Sequence, residues 1–101
     1  MTEERREEER KSVTLEARWE GGSGLRPARV SDISLGGCYL DTFGAQVEVG
    51  EVIALELKLP SGEWLALRGS VAFYHQGLGF SVCFTFLTDE EQYQLTQIIN
   101  S

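Results

Sequence analysis

The sequence predicts an all-β domain, a closed or nearly closed antiparallel β-barrel of six strands followed by one short helix. Three observations carry this reading. Six segments place apolar residues at every second position, the period of a half-buried strand. Turn-forming residues separate them at short spacing. The last segment switches to helical spacing. Closure follows because an open sheet of this size would leave unpaired edges exposed, which a barrel removes.

The first strand begins near residue 13, where Val13, Leu15, Ala17 and Trp19 alternate with Thr14, Glu16, Arg18 and Glu20. Gly21-Gly22-Ser23-Gly24 turns the chain into a second strand, Arg26 to Ser31, with Ala28 and Val30 inward. Asp32-Ile33-Ser34-Leu35-Gly36-Gly37 then breaks the alternation, and Cys38 to Asp41 resumes it. Thr42 to Gly50 reads as a loop. Ile53, Leu55, Leu57 and Leu59 form the inward face of a fourth strand, and Pro60-Ser61-Gly62-Glu63 is a turn. Leu65, Leu67, Val71 and Phe73 are the inward set of the fifth strand, where Gly69 marks a bulge or close packing. Leu78, Phe80, Val82, Phe84 and Phe86 are that of the sixth. Thr88-Asp89-Glu90-Glu91 is a capping-box sequence. Leu95, Ile98 and Ile99 follow at helical spacing, so a helix is expected over about 88–99.

Ahead of the barrel, residues 1–11 carry five glutamates and four basic residues and nothing apolar after Met1. Such a segment buries too little to offset its ordering entropy. The expected organisation is a flexible charged arm over 1–11 and one barrel domain over 12–101.

Composition narrows the function. The 101 residues are 42% hydrophobic and 25% charged, as in ordinary globular domains. No apolar run approaches the ~18 residues of a membrane span, and the charged N-terminus is the reverse of a secretion signal; both point to a cytoplasmic protein. A net charge of −7 argues against DNA, RNA or anionic lipid as partner, since such binding rests on many neutralised phosphates. Cys38 and Cys83 lack the spacing of a zinc site or a disulfide framework. The lone His75 has no nucleophile or carboxylate beside it in sequence. These features favour a binding protein over an enzyme, with no metal and no cofactor.

Two clusters have chemistry to offer. Arginine outnumbers lysine seven to two, and Arg5, Arg6 and Arg10 stand in the arm. A guanidinium makes planar bidentate hydrogen bonds to phosphate and to the O6/N7 edge of guanine. The same run also reads as a solvated tail held by Glu–Arg and Glu–Lys pairs. In Asp32-x-Ser34-x-x-Gly37, with Gly36 preceding the last glycine, the carboxylate can accept from guanine N1–H and N2–H, the hydroxyl can donate or accept, and glycine admits a close approach. The same residues also read as a bulge turn in which Asp and Ser bond their own backbone.

Taken together and in this order, Arg6-Glu7-Glu8-Glu9-Arg10 with Arg5 before it, then Asp32-Ile33-Ser34-Leu35-Gly36-Gly37, the sequence resembles the PilZ domain family of bacterial cyclic di-GMP receptors, marked by RxxxR and [D/N]xSxxG. Leu59-Pro60-Ser61-Gly62, Arg68-Gly69-Ser70-Val71 and Gly77-Leu78-Gly79-Phe80 are similar to the family's course, so the resemblance spans the chain. The all-glutamate spacer of the arginine motif departs from it, as does Phe73 where the family often has tryptophan. The resemblance implies a six-stranded PilZ-like barrel with a C-terminal helix, and cyclic di-GMP as ligand, held by Arg5, Arg6, Arg10, Asp32, Ser34, Gly36 and Gly37. It implies an arm that orders on binding and, with no output domain expected in this chain, a separate downstream protein that reads the change. The rival expectations are a barrel of this kind that serves as a protein-interaction scaffold without nucleotide, and an oligonucleotide-binding barrel.

Overall fold

The computed structural model describes residues 10–22 and 24–101. Residues 1–9, most of the expected arm, lie outside this range. Six strands and a helix follow in order: β1 (Lys11–Gly21), β2 (Gly24–Ile33), β3 (Gly37–Asp41), β4 (Val52–Lys58), β5 (Trp64–His75), β6 (Gly79–Phe84) and α1 (Asp89–Ile99). The strands close into a barrel in the order β1-β2-β3-β6-β5-β4, with β4 returning to β1, and every pairing is antiparallel.

The inward residues of all six strands fill the barrel. Trp19 is its largest member, packed edge-on to Phe80 with ring centroids 5.0 Å apart. The Trp19 indole N–H donates to the Thr42 hydroxyl at 3.4 Å, and that hydroxyl donates to the Pro27 carbonyl at 3.2 Å. The loop between β3 and β4 contributes to the core as well. Ala45 and Val47 are buried, and the Tyr74 hydroxyl donates to the Ala45 carbonyl at 2.7 Å. Gly69 is close-packed as expected: a Cβ there would lie 2.5 Å from the Cys83 carbonyl oxygen.

Bulges set which residues face out. Strict alternation from Val30 would bury Asp32. The register shifts between Val30 and Asp32, matched on β1 between Ser12 and Leu15, so Ile33 takes the inward position and Asp32 turns outward. The expected break at Asp32 is therefore partly strand: Asp32 and Ile33 belong to β2, and only residues 34–36 form the turn. A second shift between Val71 and Phe73 overturns the inward reading of Phe73, which is 54% exposed. A bulge adds one unpaired residue and so inverts the phase beyond it.

Two further positions depart from the expected inward set. Leu78 lies in the β5–β6 turn, and Phe86 lies beyond the end of β6; both are exposed. Phe86 has a positive φ of 51°, and the Arg68 guanidinium donates to its carbonyl at 2.7 Å. The helix starts as its sequence dictates. The Thr88 hydroxyl accepts from the Glu91 N–H at 3.1 Å, and the Glu91 carboxylate accepts from the Thr88 N–H at 3.0 Å. Leu95 and Ile98 are buried against the barrel, with Ile99 partly covered.

Candidate functional site

The two motifs meet at one corner of the barrel. Arg10 precedes the first residue of β1, and Lys11 is in register with Ile33. This brings the Arg10 guanidinium to the outward Asp32, with Nη1 donating to Oδ1 at 2.6 Å. The two side chains are 53% and 37% exposed. An ion pair this open contributes only about 0–1 kcal/mol, so it rearranges at little cost. The second carboxylate oxygen of Asp32 is a further acceptor. Arg5 and Arg6 lie outside the described residues.

Ser34 and the glycines play a different part from Asp32. The Ser34 side chain is buried, not presented to solvent. Its hydroxyl accepts from the Gly36 N–H at 3.1 Å and lies 3.4 Å from the Gly37 carbonyl, which also accepts from the Ser34 N–H at 2.8 Å. These bonds close the turn between β2 and β3, the local backbone bonding that this residue type favours. The Gly36 carbonyl accepts from the Phe84 N–H at 2.9 Å. Gly37 is pressed against β6: a Cβ there would lie 2.0 Å from the Val82 carbonyl oxygen. Close backbone packing thus already requires this glycine.

Beneath the corner lies Cys38. Complete burial pushes its thiol up to about 12; the nearby Asp32 carboxylate raises it further and Arg10 opposes. At physiological pH this favours the neutral thiol. Among the described residues no group of three or more His, Cys, Asp or Glu side chains is placed to hold a metal ion. No helix among them is long and apolar enough to cross a membrane.

Across β3 the surface continues as an aromatic wall that the sequence motifs do not mark. Tyr39 is in register with Asp32, and Ser81 separates it from Phe73. The Tyr39 hydroxyl lies 3.0 Å from His75 Nδ1, and Phe73 meets the His75 ring edge-on at 4.6 Å between centroids. Partial burial first, then the Asp41 and Asp32 carboxylates, raise the Tyr39 phenol above its ordinary value. An open groove of about 1060 Å³, lined by Glu16, Arg29, Asp41, Tyr39 and His75 among others, borders this wall. The sequence signal for Tyr39 is its phase: Cys38 and Leu40 face in, so the residue between them faces out beside Asp32.

Comparison with known proteins gives a consistent picture. The family described as PilZ domain matches residues 4–101. No curated protein matches the chain by sequence. Among solved structures, the PilZ domain of YcgR from Escherichia coli, determined with c-di-GMP, superimposes with a TM-score of 0.82 at 17% identity, over 95% of this chain and 89% of that one. The Bacillus subtilis inhibitor of motility MotI/DgrA superimposes with a TM-score of 0.81 at 18% identity, over 95% of this chain and 49% of that one. The chain thus spans about half the length of the Bacillus protein. The K. pneumonia MrkH–c-di-GMP complex gives a TM-score of 0.74 at 18% identity, over 92% of this chain and 50% of that one. At these identities the structures share the fold.

Proposed function

The chain belongs to the PilZ domain family, and from that premise we propose that it is a cyclic di-GMP receptor which performs no chemistry on its ligand. The observation that carries the reading is the 2.6 Å contact between Arg10 and Asp32, which unites one end of the arginine motif with the start of the [D/N]xSxxG motif. The c-di-GMP complexes of YcgR and MrkH, which share the fold, support the choice of ligand.

In this reading Arg10 moves from Asp32 to the ligand and, with Arg5 and Arg6, clamps phosphate oxygens and guanine O6/N7 edges. The freed Asp32 accepts from guanine N1–H and N2–H. Ser34, Gly36 and Gly37 shape the turn that holds the base against the barrel. Each charge-assisted hydrogen bond contributes roughly 1.5–3 kcal/mol net, while ordering an arm residue costs about 1–2 kcal/mol. A micromolar constant corresponds to about −8 kcal/mol, so several such bonds are needed. The ordered arm presents a new surface to a separate downstream protein in the cytoplasm.

Calorimetric titration of cyclic di-GMP tests the clamp, with GMP as control. Arg6→Ala is expected to weaken binding by roughly tenfold or more, the worth of one charge-assisted bond. Arg10→Lys is expected to weaken it too, because an ammonium cannot reproduce the guanidinium fork. Equal affinity in wild type and Arg6→Ala removes the clamp. Absence of wild-type binding at high micromolar ligand selects the scaffold reading instead.

A further inference from the structure

Asp32 is flanked on the outer face by a neighbour on either side. Arg10 reaches Asp32 from the β1 side. On the other side the register places Tyr39 next to Asp32 on the outer face, where directly opposed residues have Cβ atoms about 4.5–5.5 Å apart. A guanine whose edge is held by Asp32 has its rings carried sideways across the sheet, and the side away from Arg10 is Tyr39. This ring serves no core: its neighbours Cys38 and Leu40 are the inward residues of β3. It is also held in place, because its hydroxyl bonds His75 Nδ1 at 3.0 Å and His75 is itself braced by the Phe73 edge at 4.6 Å. A tyrosine ring fixed at its polar end offers planar contact at a low cost in side-chain entropy.

We infer that Tyr39 is a specificity-determining residue of this site, its ring being the stacking face for one guanine, and that His75 is the positioning residue that fixes the ring through its hydroxyl. The inference rests on the receptor reading above and extends it across β3. Two requirements then act on one base. Asp32 selects guanine by its hydrogen-bonding edge, and Tyr39 selects a flat, extended ring by its face.

The test compares the wild-type chain with Tyr39→Phe and Tyr39→Leu by calorimetric titration of cyclic di-GMP. Phenylalanine keeps the ring; leucine keeps an apolar side chain without a π-face. Base–aromatic stacking supports an expected loss of roughly 10- to 100-fold for Tyr39→Leu, against less than about threefold for Tyr39→Phe. Proton NMR supplies a readout that general destabilisation would not move: the guanine H8 resonance shifts upfield in the complexes of wild type and Tyr39→Phe, and not in that of Tyr39→Leu. His75→Ala is expected to weaken binding in the wild-type background by the same small factor as Tyr39→Phe, up to about threefold, and to have no effect in the Tyr39→Phe background, where no hydroxyl remains to be held. Wild-type binding with unchanged affinity in Tyr39→Leu overturns the role of Tyr39 alone. Equal effects of His75→Ala in both backgrounds overturn the positioning role. A wild type that does not bind overturns the receptor reading and this inference with it.

Discussion

At the scale of single residues, the corner separates an outward-facing carboxylate from groups that build the turn beside it. Asp32 faces out and is half-exposed, whereas Ser34 is buried with its hydroxyl engaged by its own turn. Gly37 is held by β6: the 2.0 Å from an added Cβ to the Val82 carbonyl oxygen can be relieved only by moving backbone. Gly37→Ala is therefore expected to lower stability by about 1–3 kcal/mol or more, as for overpacking, with or without nucleotide. Thermal unfolding checks this. A variant as stable as wild type would shift the requirement for glycine from the barrel to the ligand. Loss of nucleotide binding in a destabilised Gly37→Ala variant would accordingly be poor evidence of direct contact, and Asp32 and Arg10 are the informative positions.

At the scale of elements, α1 is tied to the barrel through one carboxylate. Glu91 Oε1 accepts from the Thr88 N–H at 3.0 Å and from Arg68 Nη2 at 3.2 Å, and the same Arg68 nitrogen donates to the Phe86 carbonyl. The backbone hydrogen bond at Thr88, with the Arg68 contact added, holds the Glu91 carboxyl below the ordinary glutamate value despite partial burial. A depressed carboxyl stabilises the fold fully above its unfolded-state value, and this share is lost as pH falls through the folded value. Glu91→Gln is thus expected to be less stable than wild type at neutral pH, with a smaller gap at an acid pH below the ordinary glutamate value. Urea unfolding at both pH values measures it; a gap that widens on acidification would contradict the assignment. On β5 the register shift between Val71 and Phe73 inverts the phase of Phe73 and Tyr74.

At the scale of the whole molecule, closure makes the barrel one cooperative unit. Leu57 is buried on β4 and is in register with Ala17 on β1 and Leu65 on β5, so it sits at the seam where the sheet meets itself. Leu57→Ala is expected to cost about 2–5 kcal/mol, the range for a buried leucine. Urea curves by tryptophan fluorescence and by circular dichroism should shift together to lower midpoint with unchanged slope. Separate transitions would show that the seam opens on its own. The net charge of −7 belongs to this scale too. It disfavours polyanions in general, so in the proposed reading affinity for a dianionic nucleotide comes from a few well-placed guanidinium groups.

The sequence by itself determined the number and type of elements, the capping box at Thr88, the inward faces of β1, β2 and β4, and the two motifs. These features are local: they depend on a period of two, on turn residues and on contacts within four positions. It did not determine where the phase inverts. A bulge is a property of two strands paired together, so Phe73 read as core and the outward turn of Asp32 had no signal of its own. The exposure of Leu78 and Phe86 was hidden for a related reason, since alternation alone does not say where pairing stops. Only tertiary structure brought Arg10 to Asp32 and Tyr39 to His75, 22 and 36 positions apart in the chain. Barrel closure and strand register set which outward residues become neighbours, and neither is written in any single segment.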